Sequence, residues 1–471
     1  MSVKKIFYNT LLQSVGKAIS VAIGLITIAF LTRFLGDEGF GEYTTVISFM
    51  GFFGILADLG LYLVTTKEIS KEGADEAKIL GNVFSLRFIT VLIMLIVGAL
   101  ISLFFPYSPQ VKQAMFLGIL AFASVSGTQV LVGVFQKHLV FYKLTASEII
   151  QRLIFFGGVI LLIRLGLGLT HLILVLAIAN IVHFLICWRM AQKLIPFRLQ
   201  FDTAYWKYIL IKSWPLGSAV LLNLIYFRAD TIILSFFKPA VDVGVYGLSY
   251  KILEVLMAFP AMFAGLIMPF LARYAFAEWD KYRLYLQKSL DAILLAVVPM
   301  VIVTLYFARP IIDLVGGNGF TDADKVLKIL IFATALIYLG NLFGYTIVAL
   351  DAQKKMLWGY GTGALTGLIL YFILIPKFTY FGAAIATLIV ELIVLIFLYI
   401  ITSKKAGFYP SFNILIKAFG AAFPMFVFFY FVNINWIIEA LVGLTIYSVL
   451  LFVFKAIPKD FINDIVKVRP V

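Results

Sequence analysis

The chain has 471 residues, of which 63% are hydrophobic and 13% charged, with a formal net charge of +14. A soluble domain is about half apolar and about a quarter charged, so this composition excludes a soluble enzyme, a disordered chain and a disulfide-stapled secreted scaffold. What remains is an all-α polytopic membrane protein, with room for ~14 spans of ~20 apolar residues each.

Apolar windows place spans near 10–34, 41–66, 79–105, 111–136, 144–164, 171–191, 208–237, 244–272, 289–309, 326–350, 356–376, 380–402, 413–432 and 434–455. These runs are far longer than barrel strands, and a helix satisfies its own backbone in lipid. No cleavable leader is evident, because Lys4 and Lys5 precede a long helical stretch and not a short apolar core with a small-residue cleavage site. With the N-terminus inside, about 25 Lys and Arg fall on the cytoplasmic side, about 8 outside and about 5 within spans. Basic inner segments include 189–212, 273–288 and 403–417. Both termini are therefore expected in the cytoplasm and the chain in the cell (plasma) membrane.

Segments 4–13, 276–290 and 458–468 mix aromatics with Lys and Asp at helical spacing. They either lie in the membrane surface or extend the flanking helices. In the last, Ile457, Phe461, Ile462, Ile465 and Val466 share a face. Trp206, Trp214 and Trp279 read as interface anchors. The lone Cys187 allows no intrachain disulfide. The positive charge sits in alternate loops and not on a soluble face, which argues against a nucleic-acid partner.

A charge within a span is costly and needs a partner, a wet cavity or the interface. Asp58 lies about 12 Å from the inner end of its span; Arg87 lies at similar depth in the next, so the two can pair. Lys17 and Arg152 also fall in the inner half. In the second half of the chain the depths reverse: Arg228 and Asp230, then Lys251 and Glu254, lie near outer ends. Lys251 and Glu254 can touch at i, i+3, whereas Asp230 is left to meet Lys251 or solvent. Glu391 has no evident partner in sequence. Gln13, Ser14, Asn82, Gln129, Asn180, Asn223 and Asn341 add uncharged polar positions along the spans.

The sequence also runs twice. Gly41-Glu42-Tyr43 opens the second span and Gly244-Val245-Tyr246 the eighth; Phe135-Gln136-Lys137 closes the fourth and Ala352-Gln353-Lys354 follows the tenth. Each half therefore contributes six spans in the same orientation. The expected division is 1–200 and 201–405 as six-helix lobes related by a pseudo-two-fold along the membrane normal, with 406–471 as two extra helices and a tail. Parallel repeats of this kind place substrate sites between them. No P-loop is present. Gly361-Thr362-Gly363-Ala364-Leu365-Thr366-Gly367 reads as close helix packing, and Gly316-Gly317-Asn318-Gly319 as an outer turn able to act as a flexible gate. His138, His171 and His183 are scattered and form no metal motif.

The stretch Leu31-Thr32-Arg33-Phe34-Leu35-Gly36-Asp37-Glu38-Gly39-Phe40-Gly41-Glu42-Tyr43 resembles the first-loop signature of the polysaccharide-transport flippases, within the multidrug/oligosaccharidyl-lipid/polysaccharide exporter superfamily. Asp58-Leu59-Gly60-Leu61, Arg228-Ala229-Asp230 and Val243-Gly244-Val245-Tyr246 are similar to further patterns of that family. The resemblance implies that the chain moves polyprenyl-diphosphate-linked glycan units from the inner to the outer leaflet by alternating access. It also implies partnership with membrane lipids, and action as a monomer alongside glycan-assembly proteins. No enzyme activity and no cofactor is expected beyond H+ or Na+ coupling.

A lipid diphosphate crossing the bilayer needs cations to replace its hydration. Lys17, Arg87, Arg152, Arg228 and Lys251 are the candidate contacts, and Asp58, Asp230, Glu254 and Glu391 the candidate ion-coupling acids. A bland reading stands beside this one, in which each charge is a structural pair or snorkels to the interface. The alternative function is a cation-coupled multidrug exporter, which requires an acidic aromatic cavity. A glycan polymerase or ligase is a third reading, disfavoured because the longest outer connection, 309–328, is only about 20 residues and contains no His.

Overall fold

The computed structural model describes residues 3–58, 60–138, 140–275 and 277–456, with side chains from Val15 onward apart from a few inside helices. The side chains of 4–13, those of Gln13 and Ser14, residue Phe276 and all of 458–468 lie outside the described residues. Among the described residues there are thirteen helices and no strand: α1 (Val3–Leu56), α2 (Leu61–Ile69), α3 (Glu76–Ser102), α4 (Pro109–Lys137), α5 (Phe141–Leu165), α6 (Leu169–Leu194), α7 (Thr203–Phe237), α8 (Ala240–Tyr274), α9 (Trp279–Gly316), α10 (Ala323–Ala349), α11 (Gln353–Ala406), α12 (Ile414–Phe431) and α13 (Trp436–Val453).

Twelve of these are long and apolar enough to cross a membrane, and two of the twelve are broken within their length, at Gly36 and Thr379, so the described residues offer fourteen candidate passes. The 54 residues of α11 would otherwise reach about 80 Å, more than twice the hydrocarbon core. The chain reverses at Thr379 (φ 52°, ψ −134°), just after Pro376. The two limbs then pack face to face. A Cβ built on Gly363 would lie 2.5 Å from Val394, and one on Gly359 would lie 3.2 Å from Phe397. The glycine-rich stretch 361–367 is thus a packing seam. In α1 the break is Gly36 (φ 68°, ψ −173°), a left-handed conformation that glycine adopts without steric cost. The first limb of α1 runs beside α5, with Gly24 against Arg152 and the Phe30 ring 5.6 Å from Phe156. The second limb ends at Leu56, the chain resumes as α2 at Leu61, and the two follow α4, where Gly118 meets Met50 and Gly133 meets Thr66.

Two compact units result: Met1–Gly244 with Val315–Gly319, and Val245–Leu314 with Phe320–Val471. In the first, α4 touches α1, α2, α3, α5 and α6, because its buried face is built from Ala114, Gly118, Ala121, Ala123, Ser124, Ser126, Gly127 and Gly133, and small residues let helix backbones approach. The unit runs past the repeat boundary at 200 because α7 starts on α3. Fully buried Asn82 donates to Gln200 Oε1 (2.9 Å), accepts from Asp202 N (2.9 Å) and offers its carbonyl to Trp206 Nε1 (3.1 Å). Trp206 is therefore a packing anchor of the linker, whereas Trp214 and Trp279 are exposed. The turn 316–319 is held: Thr32 Oγ1 donates to Val315 O at 2.8 Å and Arg33 Nη1 to the same carbonyl at 3.3 Å. Two residues of the first-loop signature thus grip the turn expected to be a loose gate.

The start of the second α1 limb and the start of α8 cross backbone to backbone. A Cβ on Gly41 would sit 1.7 Å from Ala240 O, and one on Gly244 would sit 2.1 Å from Asp37 O. Each glycine faces the carbonyl four residues before the other. These are the two positions the repeat aligns, and their contact is reciprocal.

In the second unit α12 and α13 pack on α9. Pro299 lies inside α9 and, lacking an N–H, frees the carbonyl of Leu295; Tyr447 Oη donates to that carbonyl at 2.8 Å. Tyr306 likewise donates to Phe429 O near the end of α12.

Candidate functional site

The first limb of α1 and the first half of α5 bring Lys17 and Arg152 together around an acid that the sequence reading did not single out. Lys17 Nζ lies 2.9 Å from Glu148 Oε1, Ser20 Oγ donates to the same oxygen at 2.8 Å, and Arg152 Nη2 stands 3.9 Å from it. Two cations therefore share one carboxylate, leaving a net positive site. His183 of α6 is within electrostatic reach of both Glu148 and Arg152. The side chains of Lys17, Glu148 and Arg152 are 49%, 23% and 40% exposed. Glu148 and Arg152 lie about 10 and 16 Å along α5 from its first residue. Charges at that depth would cost several kcal/mol facing hydrocarbon, a cost that water around them would remove. Glu148 was legible in principle, since it sits four residues before Arg152 on one helix face.

Arg87 is placed otherwise. The expected pair with Asp58 is present at 2.9 Å, with the side chains 1% and 14% exposed. Arg87 Nε also donates to Ser126 Oγ (2.7 Å), and Nη2 to Gln129 Oε1 (3.3 Å) and Gly54 O (3.5 Å). Gly54 belongs to the last turn of α1, which ends at Leu56 and where carbonyls lose their helical partners. The guanidinium thus closes the end of a discontinuous helix and is itself enclosed.

Further along, Lys251 Nζ meets Glu254 Oε2 at 2.7 Å, as the spacing requires. Asp230 is buried, which removes solvent as its partner; its Oδ1 accepts from Thr231 N (2.6 Å) and Thr231 Oγ1 (3.2 Å). Arg228 is half-buried on α7, and Glu391 is buried on the second limb of α11, within electrostatic reach of Tyr360 on the first. Several polar positions are engaged in packing: Gln129 with Arg87, Asn180 with Gln151 at 3.0 Å, and Asn341 with its own helix at Ile337 O.

By class, this is a multi-pass helical membrane protein with a transporter fold. Its backbone is similar to that of a solved structure titled "Lipid II flippase MurJ, inward closed conformation", with TM-score 0.76 at 15% identity over 94% of this chain and 98% of that one. It is also similar to an inward-facing multidrug resistance MATE transporter, with TM-score 0.62 at 15% identity over 83% and 99% of the two chains. Residues 2–275 match the family described as "Polysaccharide biosynthesis protein", and the chain belongs to that family. It is 26% identical over 372 residues to a Haloferax volcanii protein named "Probable low-salt glycan biosynthesis flippase Agl15", covering 76% of this chain and 75% of that one.

Proposed function

We propose that the protein is a lipid-linked oligosaccharide flippase, moving polyprenyl-diphosphate-linked glycan units from the inner to the outer leaflet by alternating access. The observation that carries the reading is the open, net-positive Lys17–Glu148–Arg152 site inside a membrane pass, in a chain of a polysaccharide-biosynthesis family. Lys17 and Arg152 are the contacts for the diphosphate, with Arg228 and Lys251 as further cations along the path. Arg87 acts through the fold of the broken second pass and not by touching substrate. Asp230, Glu254 and Glu391 are the acids through which H+ or Na+ coupling would run, and Asp58 serves Arg87. The chain works as a monomer in the cell membrane with both termini cytoplasmic, catalyses no reaction of its own, and is organised as six plus six plus two passes.

Reconstitution tests this. Proteoliposomes containing a fluorescent polyprenyl-diphosphate oligosaccharide should show protein-dependent exposure of the glycan to an impermeant lectin. Absence of that exposure, with efflux of a lipophilic cation in its place, would favour the exporter reading instead.

A further inference from the structure

Three groups converge on a single oxygen of Glu148. Lys17 Nζ, Ser20 Oγ and Arg152 Nη2 all approach Oε1. At 3.9 Å the guanidinium is outside hydrogen-bond range of that oxygen, and Arg152 Nε is buried with no hydrogen-bond partner. His183 Nε2, on the neighbouring helix, is buried and unpartnered as well. One carboxylate therefore holds two cations in place but completes only one of them. A guanidinium fork is matched by a ligand with several acceptor oxygens on one or two centres, which a single glutamate at this distance cannot supply.

Building on the flippase reading, we propose that Glu148 is a resident counterion that a diphosphate displaces. With the site empty, it holds Lys17 and Arg152 close together and in position against their mutual repulsion. When a diphosphate enters, its oxygens take both cations, including the unsatisfied Nε, and the carboxylate swings aside. Because Glu148 competes for the same cations, it weakens anion binding and lets the headgroup leave. It is a positioning residue that sets affinity and release.

The test uses the full-length protein in lipid nanodiscs, with farnesyl diphosphate as probe and farnesol as the uncharged control, titrated by calorimetry. Glu148→Gln keeps size and the Ser20 contact while removing the competing charge. It is expected to bind the diphosphate about two- to fivefold more tightly, the range of one partly exposed ion pair, with farnesol unchanged. Glu148→Asp, which keeps the charge but withdraws it by one methylene, should fall between Gln and wild type. In the lectin assay Glu148→Gln should lower the half-saturating substrate concentration and the maximal rate together, a split that general loss of structure does not produce. Diphosphate affinity equal to or weaker than wild type in both variants overturns the counterion role alone. Failure of the wild type to bind the diphosphate at all overturns the flippase reading, and this proposal with it.

Discussion

Two ion pairs in the first unit use the same chemistry to opposite ends. At Asp58–Arg87 one cation meets one acid, plus a serine, a glutamine and a main-chain carbonyl, and the arginine is 1% exposed. At Lys17–Glu148–Arg152 two cations meet one acid, and both cations are at least 40% exposed. The first arrangement is charge-neutral and enclosed, with Arg87 Nη1 and Asp58 Oδ1 meeting as an ion pair without hydrogen-bond geometry, so it serves the fold. The second leaves both a charge and a guanidinium N–H unanswered, so it can hold something else. In a membrane span, stoichiometry and openness separate a structural charge from one available to a ligand; depth alone does not.

The sharpest way to break this contrast is Arg87→Ala, which strands Asp58 and the carbonyl end of α1. It should cost about 3–5 kcal/mol, as removal of one member of a buried pair does, read as a large drop in melting temperature and folded yield. Paired replacement of Asp58 and Arg87 by Leu and Met should recover much of that loss. Unaltered stability of Arg87→Ala would remove its structural role. Next in size, Lys17→Ala and Arg152→Ala should leave melting nearly unchanged yet reduce flipping about ten- to hundredfold, the worth of a charge-assisted contact.

Tyr447→Phe is expected to cost about 1–2 kcal/mol, because it leaves the carbonyl freed by Pro299 without a donor. In a Pro299→Ala background, where the helical bond is restored, the same change should cost much less. The smallest effect is at Glu68, two residues beyond the second predicted span. Burial raises its pKa, but hydrogen bonds from Lys212 (2.6 Å) and Lys71 (2.7 Å) outweigh that and hold it below the ordinary 4.5. Its contribution to stability is therefore present above that value and is lost as pH falls through the lower folded-state value. Glu68→Gln should flatten the acid limb of a melting-temperature profile, and an unchanged limb would assign acid sensitivity elsewhere.

The fourteen candidate passes among the described residues were legible because length and polarity set them, and so was Asp58–Arg87, because equal depth in consecutive spans needs no knowledge of packing. Glu148 was not. Its partner Lys17 is 131 residues away, and only the placement of α1 against α5 joins them. The break between α1 and α2 carried a signal in Gly60, which is left-handed at φ 73°, but the apolar run across it reads as one continuous span. Asn82 and Asn180 read only as uncharged polar positions along the spans, since a sequence cannot distinguish an amide facing a path from one that ties helices together.

The crossing of Gly41 with Gly244, and the grip of Thr32 and Arg33 on Val315 O, bear on how the molecule is made. Domains generally form during synthesis in order from the N-terminus, yet the first unit draws on residues 315–319. A nascent chain that has delivered only its first seven passes still lacks the strap closing the Gly36 bend. Final setting of the first unit must therefore wait until the ribosome has released α9, well into the second half.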